Sequence, residues 1–252
     1  MEMNRPAIKQ EARNLMGSAS PNPILVGLVF VLIIYVLNTL CVKLTGVQVS
    51  VSDYSNALIS GDYGYFEDIV RDYHPGAFAV ILDIALRLTT VVVSAGFVIF
   101  CMNTARHMSC GYGNLLDGFG IFFRIIWLDI LMGIFIALWS LLLVVPGIIA
   151  AYRYRMALFL LLDNPEKSAL ACISESKRMM TGRKAELFVM DLSFIGWRFL
   201  SLLTFNLLNI WVVPYYVQTD LGFFQEIKKI KQIGNRLDGP DALPGGEDAP
   251  LF

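Results

Sequence analysis

The chain has 252 residues, 56% of them hydrophobic and 16% charged, with a formal net charge of −1. A water-soluble domain carries about 25% charged residues. The composition, with a mean hydropathy of +0.60, therefore excludes a soluble fold and implies an all-α, polytopic membrane helical bundle. Four cysteines, Cys41, Cys101, Cys110 and Cys172, stand at no C-x-x-C or Cys/His ligand spacing, so neither a disulfide nor a metal site is expected.

Residues 1–22 read as an amphipathic segment. Arg5, Lys9 and Arg13 recur every four residues, while Ile8, Ala12, Leu15 and Met16 form the opposite face. Such a helix suits the membrane interface, its basic side toward anionic lipid headgroups. A frayed, solvated N-terminus is the alternative.

Residues 23–224 read as a transmembrane domain of about six helices. The first run, Pro23 to Val42, holds no ionisable side chain except Tyr35 and Cys41, and about 20 apolar residues suffice to span the hydrocarbon. It is longer than the h-region of a signal peptide, about 7–15 residues. A connection over 43–77 follows, carrying Asp53, Asp62, Glu67, Asp68 and Asp72 against Lys43 and Arg71. Lys/Arg excess marks the cytoplasmic side, so this loop is assigned outside and the N-terminus inside. Tyr54, Tyr63, Tyr65, Phe66 and Tyr73 are expected to anchor the loop at the outer headgroups. The second span is about 78–102 and returns to a short inner loop holding Arg106 and His107. The third starts near Ile121, where Gly133, Ala137 and Ser140 form a small-residue seam for a neighbouring helix.

The segment 163–185 carries Lys167, Lys177, Arg178, Arg183 and Lys184 and reads as cytoplasmic. The loop before the third span is assigned to the same side, so an even number of crossings separates them. The chain is therefore expected to turn at Pro146–Gly147, with Ile148 to Leu162 returning either as a short full crossing or as a re-entrant segment. A cytoplasmic helix over 164–181 is expected, Asn164 as N-cap, Pro165 at its first position and Gly182 as terminator. The fifth and sixth spans fall at about 186–205 and 207–224, with a kink at Pro214. Residues 225–252 form a cytoplasmic tail, basic at Lys228, Lys229, Lys231 and Arg236, then disordered through "DGPDALPGGEDAP".

The spans carry Asp83, Asp129, Asp191, Arg87, Arg124, Arg153, Arg155 and Arg198. A charge at the centre of a membrane helix costs about 2.5–3.5 kcal/mol on insertion scales, so each must pair, snorkel or face water. Asp83 and Arg87 lie one turn apart and can pair. Arg124 stands near an inner boundary, where it can snorkel. Depth brings Asp129, Asp191 and Arg155 together in the inner half of the bundle. Arg153 points about 200° away from Arg155 and needs another partner or a water-filled crevice. The set Asp83, Arg87, Asp129, Arg153, Arg155, Asp191 and Arg198 either staples helices or lines a path for a proton, an ion or a lipid headgroup.

The stretches "WSLLLVVPGIIAAYRYRMALFLLLDNPEKSAL", "ISESKRMMTGRKAELFVMDLSFIGW" and "WVVPYY", with "IKQEAR" before the first span, resemble the bacterial integral membrane proteins grouped as domain-of-unknown-function family 975. The Pro146–Gly147 turn, Asp163–Asn164–Pro165, Ser174, Gly182 and Asp191 to Trp197 carry the resemblance. A weaker likeness links residues 145–186 to the membrane domain of some glycerophosphodiester phosphodiesterases. The family resemblance implies a multi-span helical protein of the bacterial cytoplasmic membrane and supplies no activity or catalytic residue.

No nucleophile–base set, metal motif or nucleotide loop occurs: "GYGNLLDG" has Leu116 where a dinucleotide fingerprint needs glycine. No catalytic residue, cofactor or nucleic-acid partner is expected. The expected function is non-enzymatic, in the envelope or as an accessory to an unidentified membrane-protein partner. A transporter or permease component is the alternative, motivated by the interrupted helix and the intramembrane charges.

Overall fold

The computed structural model describes residues 3–45, 76–204 and 207–237; the expected outer loop with its aromatic anchors and the tail beyond Leu237 lie outside the described residues. Helices dominate, and no strand occurs among the described residues. Helix α1 spans Arg5–Ser18, α2 Pro23–Thr45 and α3 Ala77–Ala105. A short α4, Asn114–Asp117, and a 3₁₀ turn, Gly118–Ile121, lead into α5, Phe122–Leu142. Then come α6 (Val144–Tyr154), α7 (Ala157–Asp163), α8 (Ala169–Met179), α9 (Lys184–Leu192), α10 (Ile195–Leu203) and α11 (Asn209–Leu237).

Four stretches are long and apolar enough to cross a membrane: Pro23–Leu44, Ala77–Ala105, Asn114–Leu142 and Val144–Asp163. The expected fifth and sixth crossings do not reach that standard. The fifth is cut into α9 and α10, nine residues each. The sixth shares α11 with Gln218, Thr219 and Asp220, which lower its hydropathy.

The hairpin between the third and fourth expected spans forms, but not where proline and glycine suggest. The chain reverses at Leu143, whose extended backbone (φ −162°, ψ 149°) separates α5 from α6. Pro146 sits in the first turn of α6, where its missing N–H leaves no intrahelical bond unmade. Gly147 serves close packing instead: a Cβ there would lie 2.9 Å from Ser140 Cα on the facing helix. Of the seam residues, all three exposed, Ser140 is thus the one that meets α6.

The core gathers α2, α3 and α11. Phe30 stacks on Phe97 at 4.5 Å between ring centroids, and Phe159 on Phe224 at 5.5 Å. Helix α1 also differs from expectation. Its apolar face, with Ile8, Ala12 and Met16 all buried, packs on α11 rather than into lipid. The helix beginning at Asn164 starts later: Ser168 is the N-cap, its hydroxyl accepting from Ala171 N at 3.3 Å, while Asn164 accepts from Glu166 N in a turn. Gly182 does take the left-handed backbone expected of it, with φ +78°.

At one end of the bundle, charged contacts draw three basic segments together. Asp163 accepts from Arg106 and Lys228, Arg124 donates to Pro165 O, and Lys231 donates to Arg178 O. Arg124 therefore also meets Glu166, at 3.4 Å, instead of reaching out alone.

Candidate functional site

Two helix breaks sit side by side. The first separates α6 from α7 at Arg155–Met156, and the second separates α9 from α10 at Ser193–Phe194. A break leaves backbone carbonyls without intrahelical donors. Here Ser176 of α8, fully buried, donates to Arg153 O at 2.7 Å, and Ser193 donates to Met190 O. Side chains thus make the interruptions tolerable.

Arg155, at the first break, reaches two carboxylates. Its NH1 donates to Asp191 Oδ2 at 2.6 Å, and its Nε and NH2 donate to Asp220 Oδ2 at 3.0 and 2.7 Å. Two tyrosines close the cluster. Tyr152 donates to Asp191 Oδ2 at 2.8 Å, Tyr216 donates to Asp191 Oδ1 at 3.0 Å, and Tyr216 in turn accepts from Arg155. The side chains of Arg155, Asp191 and Asp220 are only 21%, 20% and 10% exposed. Planar guanidinium geometry explains the choice of arginine: its fork can serve both acids at once, which a lysine ammonium does less specifically.

Charge nearly closes as well. Two aspartates and one arginine leave one negative charge, and the Arg198 guanidinium stands over the Tyr216 ring at 5.0 Å, within the range of a cation–π contact. The junction ties the segments after α6, within α9 and within α11 into one unit.

The expected meeting of Arg155 with Asp191 is therefore present, and that with Asp129 is not. Ile125 and Leu128 are the buried residues of α5. Asp129, one residue past Leu128 and about 100° around the helix, is exposed, with no ion pair among the described residues. Asp83 and Arg87 pair on their own helix at 2.8 Å, and Cys41 donates to Asp83 Oδ1 at 2.5 Å. The Arg153 side chain, half-buried, joins no ion pair among the described residues. Sequence reasoning missed Asp220 and Tyr216, and it did not pair Tyr152 with Asp191. The signal was there: Tyr216 and Asp220 stand four apart on one helix face, and Tyr152 and Arg155 three apart.

A second polar region lies between α1 and α9. Lys9 donates to Ser193 at the second break and stands 4.9 Å from the Phe194 ring centroid. Arg13 Nε donates to Tyr215 OH at 3.2 Å. Among the described residues, no group of three or more His, Cys, Asp or Glu side chains could hold a metal ion.

Residues 140–231 match the family model described as "Protein of unknown function (DUF975)". That segment contains Arg155, Asp191, Tyr216 and Asp220, and so the whole junction. No curated protein and no solved structure matches the chain, and the likeness to glycerophosphodiester phosphodiesterases gains no support.

Proposed function

We propose that this chain, similar over residues 140–231 to a family of unknown function, is a non-enzymatic multi-pass protein of the bacterial cytoplasmic membrane. Both termini face the cytoplasm, and the charged junction staples helices so that the bundle can serve as an accessory to another membrane complex or in envelope organisation. The interrupted α9–α10 and the first half of α11 supply the fifth and sixth crossings. The observation that carries the stapling role is the engagement of Arg155: every nitrogen of its guanidinium donates to Asp191, Asp220 or Tyr216. A largely buried cation engaged through each of its three nitrogens is a structural tie more readily than a carrier of ions. Sidedness is supported by the Arg106–Asp163–Lys228 and Arg124–Pro165 contacts, which gather the basic segments at one end.

The test places a single cysteine at Lys177 in a chain whose four native cysteines are replaced. Intact cells treated with a membrane-impermeant thiol reagent leave it unlabelled, and permeabilised cells label it. Labelling in intact cells overturns the topology.

A transporter component is the second reading. The observation in its favour is the pair of adjacent helix breaks at Arg155–Met156 and Ser193–Phe194, since discontinuous helices often frame substrate sites in transporters. Cysteines at Arg153 and Asp191 that react with the same reagent in permeabilised cells would favour it; an unreactive pair favours the staple.

A further inference from the structure

The stripe Arg5, Lys9, Arg13 is half-buried at Arg5 and Lys9 and exposed at Arg13. It lines one wall of a groove of about 760 Å³ whose other wall is α9, at Val189, Met190 and Ser193. Residues four apart on a helix stand one above the other, about 6 Å apart, so three cations converge on one channel. None of them forms an ion pair with a carboxylate among the described residues. Glu11, also on α1, is exposed and is not among the groove's lining residues. Burial holds Lys9 below the ordinary lysine pKa, and repulsion from Arg13 and Arg5 adds to the shift. Positive charge here is concentrated and, among the described residues, meets no carboxylate.

The rest of the groove indicates what would compensate it. Gln10 and Asn14 add amide groups on the α1 side. On the α9 side Val189, 44% exposed, offers an apolar surface to the groove. The volume falls within the range of about 300–1,000 Å³ typical of small-ligand sites. Arginine forks match phosphate oxygens, and an exposed apolar surface beside them suits the first methylenes of an acyl chain.

We propose that the α1–α9 groove binds a phosphate-bearing anion, supplied by the headgroup of an anionic phospholipid, with Arg5, Lys9 and Arg13 holding the phosphate and α9 meeting the acyl chains. Lys9 links this site to the second helix break through Ser193, two residues from Asp191. The proposal deepens the membrane reading and rests on it only for the origin of the lipid, so its test uses purified protein, where sidedness plays no part.

The full-length chain in nonionic detergent is unfolded thermally with short-chain phosphatidylglycerol, short-chain phosphatidylcholine or inorganic phosphate. Phosphatidylglycerol raises the midpoint saturably and phosphatidylcholine does not. An equal, saturable response to inorganic phosphate assigns the same site to free phosphate rather than lipid. Replacing Arg5, Lys9 and Arg13 together by Gln abolishes the shift, and the control Lys184→Gln retains it. Should the triple variant fail to fold, Arg5→Gln serves alone, since its guanidinium makes no hydrogen bond among the described residues. Loss of one charge-assisted contact weakens the apparent affinity about tenfold. An equal shift with phosphatidylcholine, or an undiminished phosphatidylglycerol response in these variants, overturns the proposal.

Discussion

The two places where charges converge in this molecule are built on opposite terms. Around Arg155, two carboxylates and two tyrosines meet one guanidinium, and hydrogen bonds account for the charge locally. Along α1, three cations line a groove with no carboxylate among the described residues to answer them. The two regions nearly touch, because Asp191 serves the first and Ser193 the second. Two residues along one broken helix thus separate a nearly closed charge account from an open one. The difference teaches that charge in this bundle has two uses, and that the presence of a counter-charge tells them apart.

The largest expected effect comes from breaking the closed account. Arg155→Met leaves Asp191 and Asp220 facing each other in a buried site. Removing one member of a buried pair costs about 3–5 kcal/mol, so the unfolding midpoint of the purified protein should fall sharply. An unchanged midpoint would show that the junction does not hold the helices. Replacing all three charges together, Arg155→Met with Asp191→Leu and Asp220→Leu, sharpens the point. Well-packed apolar side chains in place of a buried ion cluster are often neutral or stabilising by about 1–4 kcal/mol. The triple variant should therefore recover most of what the single one loses. If it remains as unstable as Arg155→Met, the cluster contributes something other than internal charge pairing.

A smaller effect separates the acids. Tyr216→Phe removes one donor to Asp191 and one acceptor for Arg155 while keeping the ring under Arg198. A net loss of about 0.5–1.5 kcal/mol is expected for such a hydrogen bond, measured by the same unfolding. Asp129→Ala should cost no stability, because Asp129 joins no ion pair among the described residues and its removal takes a charge out of a candidate membrane span. A loss comparable to that of Asp191→Ala would mean that Asp129 belongs to the network after all.

Depth along the chain was enough to pair Arg155 with Asp191, because both lie a similar number of residues from basic segments on one side. It could not decide Asp129, whose place depends on which face of α5 turns inward, and Ile125 and Leu128 settle that by packing. The hairpin was legible as a reversal, since sidedness demands one. Its pivot was not. Pro146 and Gly147 are read from sequence as a turn, yet a proline fits the first turn of a helix and a glycine fits a close helix contact equally well. The basic stripe of α1 was plain from its four-residue spacing. That it lines a groove against α9 follows from Ile8 and Met16 docking on α11, a long-range contact that no local pattern announces.

The smallest expected effect belongs to the open account, and its smallness is informative. In detergent without added lipid, Arg5→Gln removes a charge that repels Lys9 and that forms no ion pair among the described residues. Its stability should be unchanged or raised by no more than about 0.5 kcal/mol, the usual range for an exposed charge. Lys9→Gln differs, since it also loses the contacts to Ser193 and Phe194, and it should lose about 1 kcal/mol on the scale of one hydrogen bond. If Arg5→Gln alone costs more than that, the stripe is holding α1 in place, and its uncompensated charge is then a by-product of packing rather than a seat for an anion.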